Sequence, residues 1–165
     1  MFYSHYDSPV GQLLMIGDGE NILRIDFATT CQPVTLENSC EFNPTTFRTL
    51  TNELDAYFKG RLQKFSVAVK PNGSAFQKKV WDALQRIEYG QTCTYADIAR
   101  SIGKPTASRA VGSANGRNPV SIIIPCHRVI GANGTLTGYA GGVNTKQWLL
   151  SHEAGEQPLF PFDEW

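Results

Sequence analysis

Acidic residues are missing from a long stretch of this chain: none stands between Asp97 and Glu153. The same window holds Arg100, Lys104, Arg109, Arg117, Arg128 and Lys146. It therefore carries +6, and the rest of the 165 residues −6, within a net charge of zero. The zero balance argues weakly against a nucleic-acid partner. A basic, acid-free segment argues the other way, because it suits a surface that meets phosphates. Long apolar runs are also missing; the longest span a few residues, far short of the ~20 a membrane helix needs. The start, Met1-Phe2-Tyr3-Ser4-His5, lacks the basic residues and apolar stretch of a secretory signal. The four cysteines, Cys31, Cys40, Cys93 and Cys126, form no Cys-x-x-Cys pair and no zinc-finger spacing with histidine. These absences lead us to expect a cytoplasmic location with free thiols, no membrane partner and no bound metal.

What is present is enough apolar residue, 41%, to build a core in one ordinary domain or two small ones. A break falls near Lys70-Pro71-Asn72-Gly73-Ser74, so we expect domains at 1–72 and 73–165. The first reads as a small α+β unit. Phe2 to Asp7 and Gln12 to Ile16 flank Ser8-Pro9-Val10-Gly11, a turn between strands. Ile22 to Phe27 alternates like a third strand, and Phe65 to Val69 reads as another. Phe47, Leu50, Leu54, Tyr57 and Phe58 share one helical face, with Gly60 past its end. Residues 28–43 read as a loop.

The second half is mostly helical. Ser74 and Gln77 make a capping-box pattern before the stripe Phe76, Val80, Leu84 and Ile87. Trp81 reads as core. Thr94 caps a second helix, with Asp97 three residues on and Gly103 at its end. Thr106 is positioned to cap a third, running through Ala114. Helix, glycine-containing turn, helix is the helix-turn-helix arrangement. The third helix is built of small residues, with Arg109 the one long side chain. That pattern fits tight packing on a neighbouring helix, or a DNA groove with Arg109 projecting. Asn144 would cap a last helix ending near Glu153, which is either a solvated helix end or folds back on His127.

The chemistry-bearing segment is Ile122-Ile123-Ile124-Pro125-Cys126-His127-Arg128-Val129. An apolar run from Val120 to Ile124 reads as a buried strand delivering Cys126 to its end, where loops carry function. Such a cysteine is either a small core residue or a nucleophile. The adjacent His127 and Arg128 would favour the thiolate, the nucleophilic form. Asn118 can brace this loop by bonds to its backbone. Gly138-Tyr139-Ala140-Gly141-Gly142 is a flexible loop whose amides can reach a ligand.

Pro125-Cys126-His127-Arg128-Val129, preceded by Arg117-Asn118-Pro119, resembles the active-site signature of the O6-alkylguanine-DNA alkyltransferases. The match runs from about Gly73 to Glu153. It includes Tyr95, Ser108-Arg109-Ala110-Val111-Gly112 and the Gly138 to Gly142 loop; Ser8 to Gly11 matches more loosely. The resemblance implies an α+β fold: a small N-terminal antiparallel sheet with a helix, joined to a mostly helical C-terminal domain containing the helix-turn-helix. It implies transfer of an alkyl group from guanine, and from alkylated thymine as a further substrate, to Cys126 as permanent acceptor. His127 would be the base, Glu153 its orienting partner and Asn118 the loop support. Tyr95, Val129, Tyr139 and Ala140 would line the base pocket. Some relatives have serine at the Ala140 position; a backbone donor survives that change. Arg109 would fill the stack of a flipped base, while Arg100, Lys104 and Arg117 would meet phosphates. The implied partner is double-stranded DNA carrying alkylated bases, bound by a monomer without cofactor. Some members hold zinc in the N-terminal domain; the corresponding positions here include Asp18 and Arg24, so no zinc is expected. Two other classes stay open: a cysteine hydrolase using Cys126, His127 and Glu153, and a lesion-sensing module without chemistry.

Overall fold

The computed structural model describes residues 1–28, 36 and 39–156. Cys31 and the aromatic tail 157–165 lie outside the described residues. Strands β1 (Phe2–Ser8), β2 (Gly11–Gly17) and β3 (Ile22–Phe27) form an antiparallel meander. The Ser8 to Gly11 hairpin forms as read. Ser8 Oγ donates to the Gly11 carbonyl and accepts from Val10 N at 3.2 Å, and Gly11 takes φ 104°. A short strand, β4 (Glu41–Phe42), adds in parallel to β1, giving the order β3-β2-β1-β4. It falls inside the stretch read as loop.

Helix α1 (Arg48–Phe58) buries Leu50, Leu54 and Tyr57, with Phe47 buried just before it in a 3-10 turn. The strand expected at Phe65 to Val69 does not form. Its backbone touches the sheet only where Ile22 N donates to Ala68 O and Lys70 N to Ile22 O. The Glu53 carboxylate on α1 instead accepts from the Ser66 amide at 3.1 Å and the Val67 amide at 3.4 Å. A side chain has taken the donors that a ladder would have used.

Helices α2 (Ala75–Leu84), α3 (Tyr95–Ser101) and α4 (Ser108–Gly116) pack together, and α5 (Val143–Glu153) closes the chain's described part. Both expected capping boxes are present, Ser74 with Gln77 and Thr94 with Asp97. Trp81 is 1% exposed and donates Nε1 to the Ala114 carbonyl at 2.9 Å, tying α2 to α4. Thr106 does not cap α4. A turn closed by Ala107 N to Lys104 O delays the helix to Ser108, and Ala107 is its uncapped N-cap. Asn144 does not cap α5 either, which begins after Gly142 at φ 91°.

The largest departure is at Val120 to Ile124. Only Val120 bridges, to Ile25 on β3; the chain then turns, with Ile122 at φ 72° and Ile124 N bonded to Val120 O. The run is apolar because it is buried, and burial alone does not distinguish a strand from a buried turn. A two-stranded parallel pair, β5 (Cys93–Thr94) with β6 (Val129–Ile130), sets Tyr95 beside the segment that follows Cys126. Among the described residues, no helix is long and apolar enough to cross a membrane.

The Ser74 cap makes a direct check on this architecture. Ser74→Ala should lower stability by about 0.5–2 kcal/mol, read as a drop in urea midpoint at unchanged slope. Ser74 lies outside the site described next, so reactivity at Cys126 should be unaffected.

Candidate active site

The buried turn after Val120 leads directly into Cys126. Asn118 staples it: Nδ2 donates to Ile124 O at 2.7 Å and Oδ1 accepts from Val120 N at 3.0 Å. The loop support expected of Asn118 is thus realised in backbone bonds. Cys126 opens a 3-10 turn, Cys126–Arg128, that buries Cys126, His127 and Arg128. Asn115 at the end of α4 reaches in as well, Nδ2 to Cys126 O at 3.4 Å.

Beside His127 and Arg128 sits a buried carboxylate with both oxygens hydrogen-bonded. Glu153 Oε1 accepts from Tyr57 Oη at 2.8 Å and Arg128 Nη2 at 2.9 Å, and lies 2.7 Å from His127 Nε2. Oε2 accepts from Arg128 Nε at 2.8 Å. Of the two readings of Glu153, the structure selects the one folded back on His127; its side chain is 1% exposed. Burial opposes its ionisation, yet the hydrogen bonds and charges of His127 and Arg128 outweigh burial and hold its carboxyl far below the usual range. Arg128's fork secures that direction whatever the charge on His127.

His127 is fully buried, and burial lowers its pKa although Glu153 pulls the other way. A neutral imidazole facing an ionised carboxylate carries its proton on Nε2, the atom nearest Glu153. Nδ1 then holds the free lone pair, and it has no hydrogen-bond partner among the described residues. The ring is thus set as a base.

Cys126 departs from expectation. Burial raises its thiol pKa, only partly countered by the Asn118 hydrogen bond and the Lys146 charge. The neighbouring Arg128 does not supply a thiolate because its charge is spent on Glu153. The resting group is a thiol that needs a base.

The sequence reading missed the buried positions of Arg128 and Lys146 and gave Tyr57 no part in the site. Arg128 and Lys146 belong to the acid-free window read as a basic surface, yet they are 7% and 0% exposed. Lys146 Nζ donates to Val129 O at 2.6 Å and Thr137 O at 3.2 Å, pinning the walls around Cys126. Tyr57 lies 96 positions from the carboxylate it touches, and no local signal announces it.

The residues expected to line a base pocket are placed as follows. Val129 is fully buried, and the Tyr95 hydroxyl lies 2.5 Å from Thr137 Oγ1. Tyr139 packs edge-on against Phe27 at 5.6 Å, its buried hydroxyl without a partner among the described residues, while Ala140 is exposed. Gly141 lies so close that an added Cβ would stand 2.9 Å from the Phe27 ring. On α4, Arg109, Ala110, Ser113 and Gly116 are exposed, while Val111, Ala114 and Asn115 are buried. Arg100, Lys104 and Arg117 are exposed nearby in sequence, Arg100 already paired with Asp97. In the N-terminal half, Asp18 is committed to its own turn through the Glu20 and Asn21 amides, and Arg24 to Asp26.

A buried thiol, a base with a fixed tautomer and a charged carboxylate define an activated-cysteine site. Residues 75–155 match the 6-O-methylguanine DNA methyltransferase DNA-binding domain, and residues 1–71 match the same proteins' ribonuclease-like domain. The chain belongs to the 6-O-methylguanine DNA methyltransferase family. It is 49% identical over 153 residues to the methylated-DNA–protein-cysteine methyltransferase of Methanosarcina acetivorans, covering 93% of this chain and 98% of that one. The Mycobacterium tuberculosis OGT crystallised with DNA is 43% identical, with a TM-score of 0.89 and 96% of each chain covered. A methyltransferase from Methanococcus jannaschii shares the fold at 29% identity and a TM-score of 0.67, with 95% of this chain and 96% of that one covered.

The charges predict the acid response. Glu153 has a lowered folded pKa, so its contribution is complete above the unfolded value near ~4.3 and is lost as pH falls below it. His127 is held neutral, so below about pH 6.5 the unfolded chain binds a proton that the native one refuses. Both terms make stability fall with acid. Glu153→Gln should cost about 3–5 kcal/mol at pH 7 by stranding Arg128. The gap to wild type, read by urea unfolding, should narrow below about pH 4.3.

Proposed function

We propose that this protein repairs DNA by transferring the alkyl group of an O6-alkylguanine in duplex DNA to its own Cys126, once per molecule. O4-alkylated thymine, which presents the same alkyl–oxygen bond, falls within the proposed range. The observation that carries the reading is the buried Cys126 thiol beside a neutral His127 whose Nδ1 lone pair is free. His127, acting through one bridging water, takes the thiol proton. The sulfur attacks the alkyl carbon, an S–C bond forms, and the C–O6 bond breaks with its electron pair going to the guanine. The guanine takes up one proton as the thiol loses one, so the balance closes without a cofactor. Lys146 favours the developing thiolate. Water does not readily displace a thioether, so the reaction ends there.

We assign residues 1–72 to an N-terminal α+β domain and 73–165 to the DNA-binding and transfer domain. α3 and α4 act as a helix-turn-helix whose small-residue face enters the minor groove, where contacts carry little sequence information. This suits a monomer that must scan any sequence. The alkylated base leaves the stack, at a cost of a few kcal/mol that damage reduces. Arg109 fills the vacancy. Tyr95 bonds the flipped guanine, and Tyr139, with the backbone at Val129 and Ala140, lines its pocket. Arg100, Lys104 and Arg117 hold phosphates; the half-exposed Asp97 partner of Arg100 is a weak competitor.

The deciding experiment is intact mass after incubation with an alkylated oligonucleotide. One alkyl group per molecule, mapped to Cys126, is expected. Turnover without adduct would mean a hydrolase, and binding without either a sensor. Cys126→Ser should keep the fold and DNA affinity but lose transfer, because a hydroxyl is a far weaker nucleophile. Label on Cys31, Cys40 or Cys93 would overturn the assignment.

Arg109→Ala tests extrusion separately. The variant should lose most activity on duplex and much less on free O6-alkylguanine, which needs no flipping. A mispaired lesion should fall between, since its extrusion costs less. Equal losses on duplex and free base would remove the finger role.

A further inference from the structure

We infer that Tyr57, on helix α1 of the N-terminal half, is a positioning residue for the Cys126–His127–Glu153 relay, its hydroxyl limiting how much charge Glu153 turns toward His127. This rests on the transfer reading above, in which His127 is the base.

Three donors converge on one oxygen. Glu153 Oε1 accepts from Tyr57 Oη at 2.8 Å and Arg128 Nη2 at 2.9 Å, with His127 Nε2 at 2.7 Å. Tyr57 is fully buried and cannot move aside. Its ring lies 5.1 Å from Phe58, 5.3 Å from His152 and 5.4 Å from Phe65. Its carbonyl accepts from His152 Nε2 at 2.7 Å. Ring and backbone together lock α1 onto α5, and packing of that kind would be served by phenylalanine. A buried hydroxyl costs free energy unless it is bonded, and this one is bonded to the catalytic carboxylate. Burial and the Glu153 charge keep it protonated well above its ordinary range, so it is always a donor.

The groups that face this cluster come from every packed element. They are Tyr57 from α1, Tyr89 from the segment after α2, Cys126 and Arg128 from the 3-10 turn, Tyr139 from its loop, and Lys146 and His152 from α5. Arg128 and Lys146 oppose a proton on His127, and Glu153 favours it. Tyr57 carries no charge but tempers Glu153. Without its hydroxyl, Oε1 has one donor fewer and pulls harder on His127 Nε2–H. His127 then becomes more basic and holds a second proton to higher pH, and a doubly protonated ring has no lone pair for the thiol proton.

The test is single-turnover transfer from a methylated duplex, measured against pH on the full chain. Tyr57→Phe should move the acid limb to higher pH. Below the limb its rate should fall about three- to tenfold, the effect of half to one pH unit. Duplex affinity should stay near wild type. Site-specific 3,5-difluorotyrosine at position 57 keeps the ring and strengthens the donor, so its limb should move to lower pH. NMR titration of the His127 ring nitrogens should follow both shifts, whether or not alkyl transfer is the true reaction. A wild-type midpoint for the limb and for His127 in either folded variant would reduce Tyr57 to packing and overturn the inference. Wild-type protein without alkyl gain would instead refute the transfer reading and leave the NMR comparison to decide this one.

Discussion

A full negative charge on a side chain that is 1% exposed is the constraint around which this molecule is arranged. An isolated buried carboxylate would take up a proton. Glu153 does not, because Arg128 meets it with two nitrogens and His127 and Tyr57 fill the remaining positions. Each partner is fixed in return. Arg128 also donates Nη1 to the Ile87 carbonyl at 2.7 Å, which anchors the turn after α2. His127 is held in one tautomer with Nδ1 free. Tyr57 brings α1, and with it the N-terminal sheet, against α5. One carboxylate thus ties four parts of the chain that are distant in sequence.

The N-terminal half touches the site at two further points. The edge of β3 holds the turn that aims Cys126, through Ile25 N to Pro119 O at 2.9 Å. Phe27 at the end of the same strand backs Tyr139 and fills the space beside Gly141. From the other side, α4 reaches Cys126 through Asn115 and is itself held by Trp81. On the proposed reading, the helix that meets DNA and the loop that carries the nucleophile therefore share a rigid connection. A base delivered by α4 arrives at a position already set relative to the sulfur, which is the advantage of preorganisation.

Local signals in the sequence were legible because local physics decides them. The Ser8 to Gly11 hairpin and the boxes at Ser74 and Thr94 each need only four adjacent residues. The apolar runs at Phe65 to Val69 and Val120 to Ile124 misled for one shared reason. β-branched and aromatic residues report burial, while the partners that decide the backbone, Glu53 in one case and Asn118 in the other, are polar and outside the pattern. The cluster of Cys126, His127 and Glu153 could be named from the motif resemblance, and the structure brings His127 and Glu153 together. Arg128 and Lys146 could not be separated from the surface cations, since charge in a sequence carries no burial. Glu153 stands 25 positions from Arg128, and nothing between them marks the pair.

The raised thiol pKa of Cys126 follows from the same economy. On the proposed reading Cys126 must survive until its one reaction, and it gains from being a thiol at rest, because oxidants and stray electrophiles attack the thiolate. Burial supplies that protection. The same burial would make the group inert, were it not for His127, kept neutral by burial and oriented by Glu153. On the proposed reading, reactivity then depends on an alkyl carbon arriving in line with the sulfur while Nδ1, through a water, takes the proton.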